Sequence, residues 1–141
     1  MHDGASAGPW SLQKLEVQTA SDELAQATVK LVRDNLDPVT ATAHGDGPVA
    51  AAVAALESVT GVQIILKKFD LHSASIGEDA QGEVSITVEH GDDLYRGNGA
   101  SVDIVEAGAK ACLEVINRII RRKARKGDDT DSTASFTRAT I

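Results

Sequence analysis

The chain has 141 residues, a net charge of −7, one cysteine and only four aromatic residues (Trp10, Phe69, Tyr95 and Phe136). That length suits one domain with a single core. A lone cysteine excludes an internal disulfide and a zinc site built on cysteines, and the sparse aromatics exclude a base-stacking platform. There is no apolar run of about 18 residues and no charged-then-apolar leader, so the expectation is a soluble, cytoplasmic chain without a membrane partner.

Residues 1–9 are rich in small residues and glycine and read as a cloning remnant or the end of a linker. Residues 10–19 (WSLQKLEVQT) place Trp10 and Leu12, then Leu15 and Val17, on an apolar side, which predicts a strand with one irregularity. Residues 25–33 alternate through Ala27, Val29 and Leu31 as a second strand. A turn at residues 35–37 leads to a third at residues 38–44. Residues 49–59, dense in alanine with Val53, Leu56 and Val59 at helical spacing, predict a helix that Gly61 ends as a C-cap.

The order then repeats. Residues 62–75 predict a long strand with Ile64, Leu66 and Leu71 facing inward, and residues 82–90 alternate cleanly through Val84, Ile86 and Val88. A short strand at residues 92–95 leads into Gly97. From Val102 onward Ile104, Val105, Ala109, Cys112, Leu113, Val115, Ile116, Ile119 and Ile120 form a wide apolar helical face. The polar segment 127–141 reads as a flexible tail.

Strand, strand, strand, helix, twice over, predicts an α+β fold of two βββα modules, about residues 10–61 and 62–126. Two glycine-containing segments mark the repeat: His44-Gly45-Asp46-Gly47-Pro48-Val49, and, about 52 residues later, Arg96-Gly97-Asn98-Gly99-Ala100-Ser101-Val102. Each reads as a strand turning into a helix N-terminus, with glycine permitting a close approach and Pro48 suiting the first helical turn. Unpaired N–H groups at such ends favour an anion by about 0.3–1 kcal/mol through the helix dipole, so an anionic small molecule is the expected guest.

No catalytic constellation is visible. His2, His44, His72 and His90 stand alone, with no metal-ligand spacing, and the glycine turns lack the Lys-Ser/Thr of a P-loop. Glu78 and Asp79 adjoin in a loop between two strands, where they read as solvated carboxylates of a hairpin loop in preference to an acid–base pair. Cys112 reads as a small buried hydrophobe. Six of the fourteen basic residues cluster as Arg118, Arg121, Arg122, Lys123, Arg125 and Lys126, at a helix end where cations complement the dipole. The acidic body before them is a poor footprint for nucleic acid; an adaptor that binds nucleic acid through this basic helix end is the alternative from another class.

The segments GDGPV, GEDAQGEVSITVE and GNGASVDIVEAGAKACLEVINRI, in this order, resemble the C-terminal regulatory domain of 2-isopropylmalate synthases. The resemblance covers roughly residues 10–121, and the closely related citramalate synthases carry the same domain. It implies two βββα modules related by a pseudo-twofold, a homodimer, and an end-product effector bound at the dimer interface, leucine in the former enzymes and isoleucine in the latter. It further implies that this chain catalyses nothing and takes no cofactor. Condensation of acetyl-CoA with 2-oxoisovalerate, in leucine biosynthesis, would belong to a metal-dependent barrel domain of the full-length chain, inhibited in feedback by the effector. Carried residue by residue, the resemblance implies an effector pocket of Gly45, Asp46, Gly47, Val49, Leu66, Phe69, Ser73, Asp79, Ala80, Gly82, Ala100 and Ser101. Phe69 stands where many family members have tyrosine, so the apolar wall is kept and a hydroxyl lost.

Overall fold

A computed structural model describes the backbone of residues 9–73 and 81–139 and the side chains of residues 9–72 and 81–125. Strands β1 (Ser11–Gln18), β2 (Ala25–Val32) and β3 (Val39–Gly45) form one antiparallel sheet in the order β1-β2-β3, followed by helix α1 (Pro48–Thr60). Strands β4 (Ile65–Ser73), β5 (Gly82–His90) and β6 (Asp93–Ser101) form a second in the order β4-β5-β6, followed by helix α2 (Ile104–Ala139). The fold is the α+β duplication of βββα that the sequence predicts. Helix α2 runs on through residues 127–139, a stretch whose composition reads as a flexible tail.

The central strands explain the core. In β2, Ala25, Ala27, Val29 and Leu31 are buried on the face toward the helices, and in β5, Val84, Ile86 and Val88 are buried likewise. Each middle strand is paired on both sides, so its alternating apolar face is fully used. Helix α1 contributes Ala51, Ala52, Ala55 and Leu56, and α2 contributes Ala107, Ala111, Cys112, Val115, Ile116 and Ile119. The two helices pack on each other, and residues of both modules belong to one cluster. Alanine along α1 lets its backbone come close to its neighbours; Gly61 ends the helix at φ 77°, its N–H donating to the Glu57 carbonyl.

Both first strands carry a bulge at the same place. The register shifts between Leu12 and Lys14 in β1 and between Leu66 and Lys68 in β4. Residues three apart would lie on opposite faces of a regular strand; the extra residue restores both to the inner face. Leu12 and Leu15 thus share one side, and so do Leu66 and Phe69. Leu71, expected to face inward to the core, is 57% exposed. Its partner Val84 is buried, but β4 is a sheet edge, and α2 packs over β5 and β6 instead. The inner side of β4 is therefore an apolar strip only partly covered. Among the described residues no helix is long and apolar enough to cross a membrane.

Candidate functional site

Strand β3 ends at Gly45, paired with Ala25, where the chain turns sharply into α1. A Cβ at Gly45 would lie 2.5 Å from the Ala51 nitrogen and 2.7 Å from the Ala50 carbonyl carbon, so only glycine lets the strand end this close to the helix. Gly47 is the N-cap, extended at φ −155° and ψ 177°, and Pro48 opens the helix. The Ala51 N–H donates to the Gly47 carbonyl at 2.9 Å, which begins the helical ladder. No side chain caps this end and no acidic residue lies in its first turn. The N–H groups of Val49 and Ala50, ahead of that first ladder bond, have no intrahelical or side-chain acceptor among the described residues and lie in a positive helix-end field.

The start of α2 is the opposite case. Asp103 Oδ1 accepts the N–H of Val105 at 2.8 Å and of Glu106 at 3.2 Å. Ser101 Oγ donates to Glu106 Oε1 at 2.9 Å and accepts the Asp103 N–H at 3.2 Å. A carboxylate of the chain itself holds the place an anion would take. Asp103 was not among the sequence-predicted site residues, though Asp-x-x-Glu before an apolar run is a recognisable capping signal.

The sheet registers show which residues of the two modules correspond. Ala25 pairs with Gly45 as Gly82 pairs with Ser101, and each helix begins three residues later, at Pro48 and at Ile104. The counterpart of Gly45 is thus Ser101, and the counterpart of Gly47 is Asp103. The second glycine segment, expected to be a turn, is instead part of β6: Gly97, Asn98 and Gly99 pair with Ile86, Ser85 and Val84. Its glycines serve helix packing, since a Cβ at Gly97 would come within 2.7 Å of the Ala111 carbonyl oxygen and one at Gly99 would run into the Ala107 carbonyl oxygen. The match at Asn98 is with Thr42: Ser85 Oγ donates to Asn98 Oδ1 at 2.9 Å, where the other sheet pairs Thr28 Oγ1 with Thr42 Oγ1 at 2.7 Å.

The remaining predicted residues gather on the second module. Leu66 and Phe69 are half-buried on the open inner side of β4, and the Phe69 ring lies against Gly108 of α2. The Ser73 backbone pairs with Gly82, and the position a Gly82 Cβ would take is filled by the Ile104 side chain, with Leu71 close by. Ala100 borders a groove of about 280 Å³ shared with Glu83, Asn98 and Gly99. Asp79 and Ala80 lie outside the described residues. The site residues thus form two groups on one chain: Gly45, Asp46, Gly47 and Val49 at the start of α1, and Leu66, Phe69, Gly82, Ala100 and Ser101 along β4, β5 and β6.

The electrostatics offer no activated nucleophile at Cys112. Burial pushes its thiol up to about 12, with the Glu57 carboxylate adding to the effect. Among the described residues no group of three or more His, Cys, Asp or Glu could hold a metal ion. Two of the clustered arginines on α2 are turned to internal partners: Arg118 donates to the Arg96 carbonyl, and Arg122 to the Tyr95 hydroxyl at 2.8 Å and to Asp93 at 3.3 Å.

These features define a small duplicated α+β domain with one helix start uncapped and its counterpart capped by the chain's own carboxylate. The chain belongs to the family of the LeuA allosteric (dimerisation) domain, which it matches over residues 2–120. It is 43% identical over 114 residues to a 2-isopropylmalate synthase of Rhodopirellula baltica, covering 81% of this chain and 22% of that protein. It is 39% identical over 138 residues to one of Stenotrophomonas maltophilia, covering 97% and 26%, and 44% identical over 114 residues to one of Xanthomonas campestris, covering 79% and 22%. The chain spans about a quarter of the length of these relatives.

Proposed function

We propose that this chain is the leucine-sensing regulatory domain of a 2-isopropylmalate synthase, and that it binds leucine at the interface of a homodimer to inhibit a catalytic domain of the same full-length protein. That domain would condense acetyl-CoA with 2-oxoisovalerate and hold whatever divalent metal the reaction needs. The observation that carries the reading is the uncapped start of α1, where among the described residues no side chain caps the first turn and the Val49 and Ala50 N–H groups precede the helical ladder. The leucine carboxylate takes these donors. Its isobutyl group lies on the half-covered apolar strip of Leu66 and Phe69, and Val49 lines the near side. Asp79 or carbonyls of its loop accept from the ammonium.

The division of the residues into two groups supports the dimeric form of this reading. Strand β4 packs chiefly on β5, while α1 packs on β1, β2, β3 and α2. A pocket that uses both the α1 start and the β4 strip is completed by a second copy. The relatives' shared name favours leucine over isoleucine as the effector.

A thermal-shift series with leucine, isoleucine and valine tests this. A ligand that binds only the folded state stabilises by RT ln(1 + [L]/Kd), about 2.7 kcal/mol at a hundredfold excess over Kd. A rise with leucine alone is the expected result. A rise with isoleucine alone would transfer the chain to the citramalate enzymes, and no rise with any of the three would overturn the sensing role.

A further inference from the structure

The chain enters the first sheet through Trp10, one residue ahead of β1, and this residue is held from both modules. Its ring lies under the Arg33 guanidinium, 4.3 Å from the ring centroid, at the end of β2. Its backbone is held by α2: the Trp10 N–H donates to Asn117 Oδ1 at 2.9 Å, and Asn117 Nδ2 donates to the Trp10 carbonyl at 2.9 Å. The side-chain amide thus supplies both bonds that a neighbouring strand would supply. Ile64, in the same place ahead of β4, is tied in a related way, its N–H donating to Glu57 Oε2 on α1 at 2.9 Å. Each first strand is fastened at its entry to the helix of the other module.

Asn117 shares α2 with Gly108, against which the Phe69 ring packs. They are nine positions apart along the helix, about 14 Å at 1.5 Å per residue. A ligand on the strip beside Phe69 would bear, through that ring, on the helix at Gly108, and any shift there would reach Asn117 along the same helix. The two bonds to Trp10 are short and directional, so they follow the helix or break within a few tenths of an ångström.

We propose that Asn117 is a positioning residue that carries the occupancy of the effector pocket to the point where the chain enters β1. The inference rests on the leucine reading above. Trp10 is the chain's single tryptophan, so its emission reports on this point alone.

The test follows Trp10 emission during a leucine titration, with calorimetry on the same samples, for the wild type, Asn117→Ala and Asn117→Asp. In the wild type, leucine changes the emission. Asn117→Ala binds leucine within about threefold of the wild-type affinity and loses most of the emission change. Asn117→Asp can accept from the Trp10 N–H but cannot donate to its carbonyl, so it falls between; it carries the comparison if circular dichroism finds the alanine variant unfolded. A full emission change in Asn117→Ala overturns the proposal, as does a silent Trp10 in a wild type that binds leucine by calorimetry. Absence of leucine heat in the wild type overturns the leucine reading and this inference with it.

Discussion

Gly47 and Asp103 occupy the same place in the two modules, each the residue before the first helical position, and they treat the helix start in opposite ways. Asp103 fills its own helix end with a carboxylate that accepts from Val105 and Glu106. Gly47 has no side chain and leaves its helix end bare. A duplicated unit thus has one helix start closed from within and one left uncapped, which on the leucine reading proposed above would give a single effector carboxylate per chain.

Placing a carboxylate at the open end should therefore separate stability from binding. Gly47 is extended, and a Cβ there meets nothing within 4 Å, so Gly47→Asp fits without strain. As an N-cap it stabilises by about 0.5 kcal/mol, a few tenths from capping and the rest from the dipole. The expected result is a melting temperature about 2 °C higher with leucine affinity reduced tenfold or more. Calorimetry showing unchanged affinity would place the carboxylate elsewhere.

Leu66 and Phe69 sit side by side on the half-covered face of β4, and truncating either tests the apolar wall. Because both are only partly buried, Leu66→Ala and Phe69→Ala should each cost about 1–2 kcal/mol, well short of the 2–5 kcal/mol of fully buried sites. Leucine affinity should fall more than tenfold in either variant. Denaturant melts and titration calorimetry on folded protein give the two numbers, and unchanged affinity in both variants removes this strip from the pocket.

The element order, the span of α1, the Gly61 cap and the β5 strand were legible in the sequence because each depends on residues a few positions apart. The site was legible only in part. The Gly97-Asn98-Gly99 segment resembles a turn locally, yet its glycines are needed because α2 crosses β6 closely, a tertiary demand with no local pattern. Leu71 obeys the strand alternation and is still exposed, because nothing in its neighbours states that β4 is an edge. Trp10 and Asn117 lie 107 residues apart, so no spacing rule could pair them.

The glycines of α2 and its partner strand should respond to alanine in contrasting ways. At Gly99 the new methyl would meet the Ala107 carbonyl oxygen and, at 2.8 Å, the Ala111 nitrogen, and helix backbone cannot step aside. Gly99→Ala should cost about 2–3 kcal/mol or more. At Gly108 the methyl would meet the Phe69 Cε2 at 2.8 Å, the outer edge of a half-buried ring that can swing outward. Relief of helical glycine offsets that by about 0.8–1 kcal/mol, so Gly108→Ala should leave stability within about 1 kcal/mol of wild type. Its mark is on the ligand, since the displaced ring narrows the proposed leucine slot. Urea unfolding with calorimetry distinguishes the two, and a large loss of stability in Gly108→Ala would mean that Phe69 cannot move.

Cys112 predicts an alkaline limit. Its thiol is pushed up to about 12 in the folded chain, first by burial and then by the Glu57 carboxylate, against 9.0 for a free thiol. The folded state therefore holds a proton that the unfolded state releases above pH 9. The resulting stabilisation is complete below that pH and is lost as pH rises toward 12. For this one proton the loss is at most about 1.4 kcal/mol per pH unit. Cys112→Ala gives up some packing at neutral pH, a small cavity in a full core, but removes this slope. Unfolding curves from pH 8 to 11 should thus converge between wild type and variant as pH increases, while iodoacetamide at pH 8 leaves the native thiol unmodified. A thiol alkylated in the native state, or parallel pH profiles for the two proteins, would show that solvent reaches Cys112 in the folded chain.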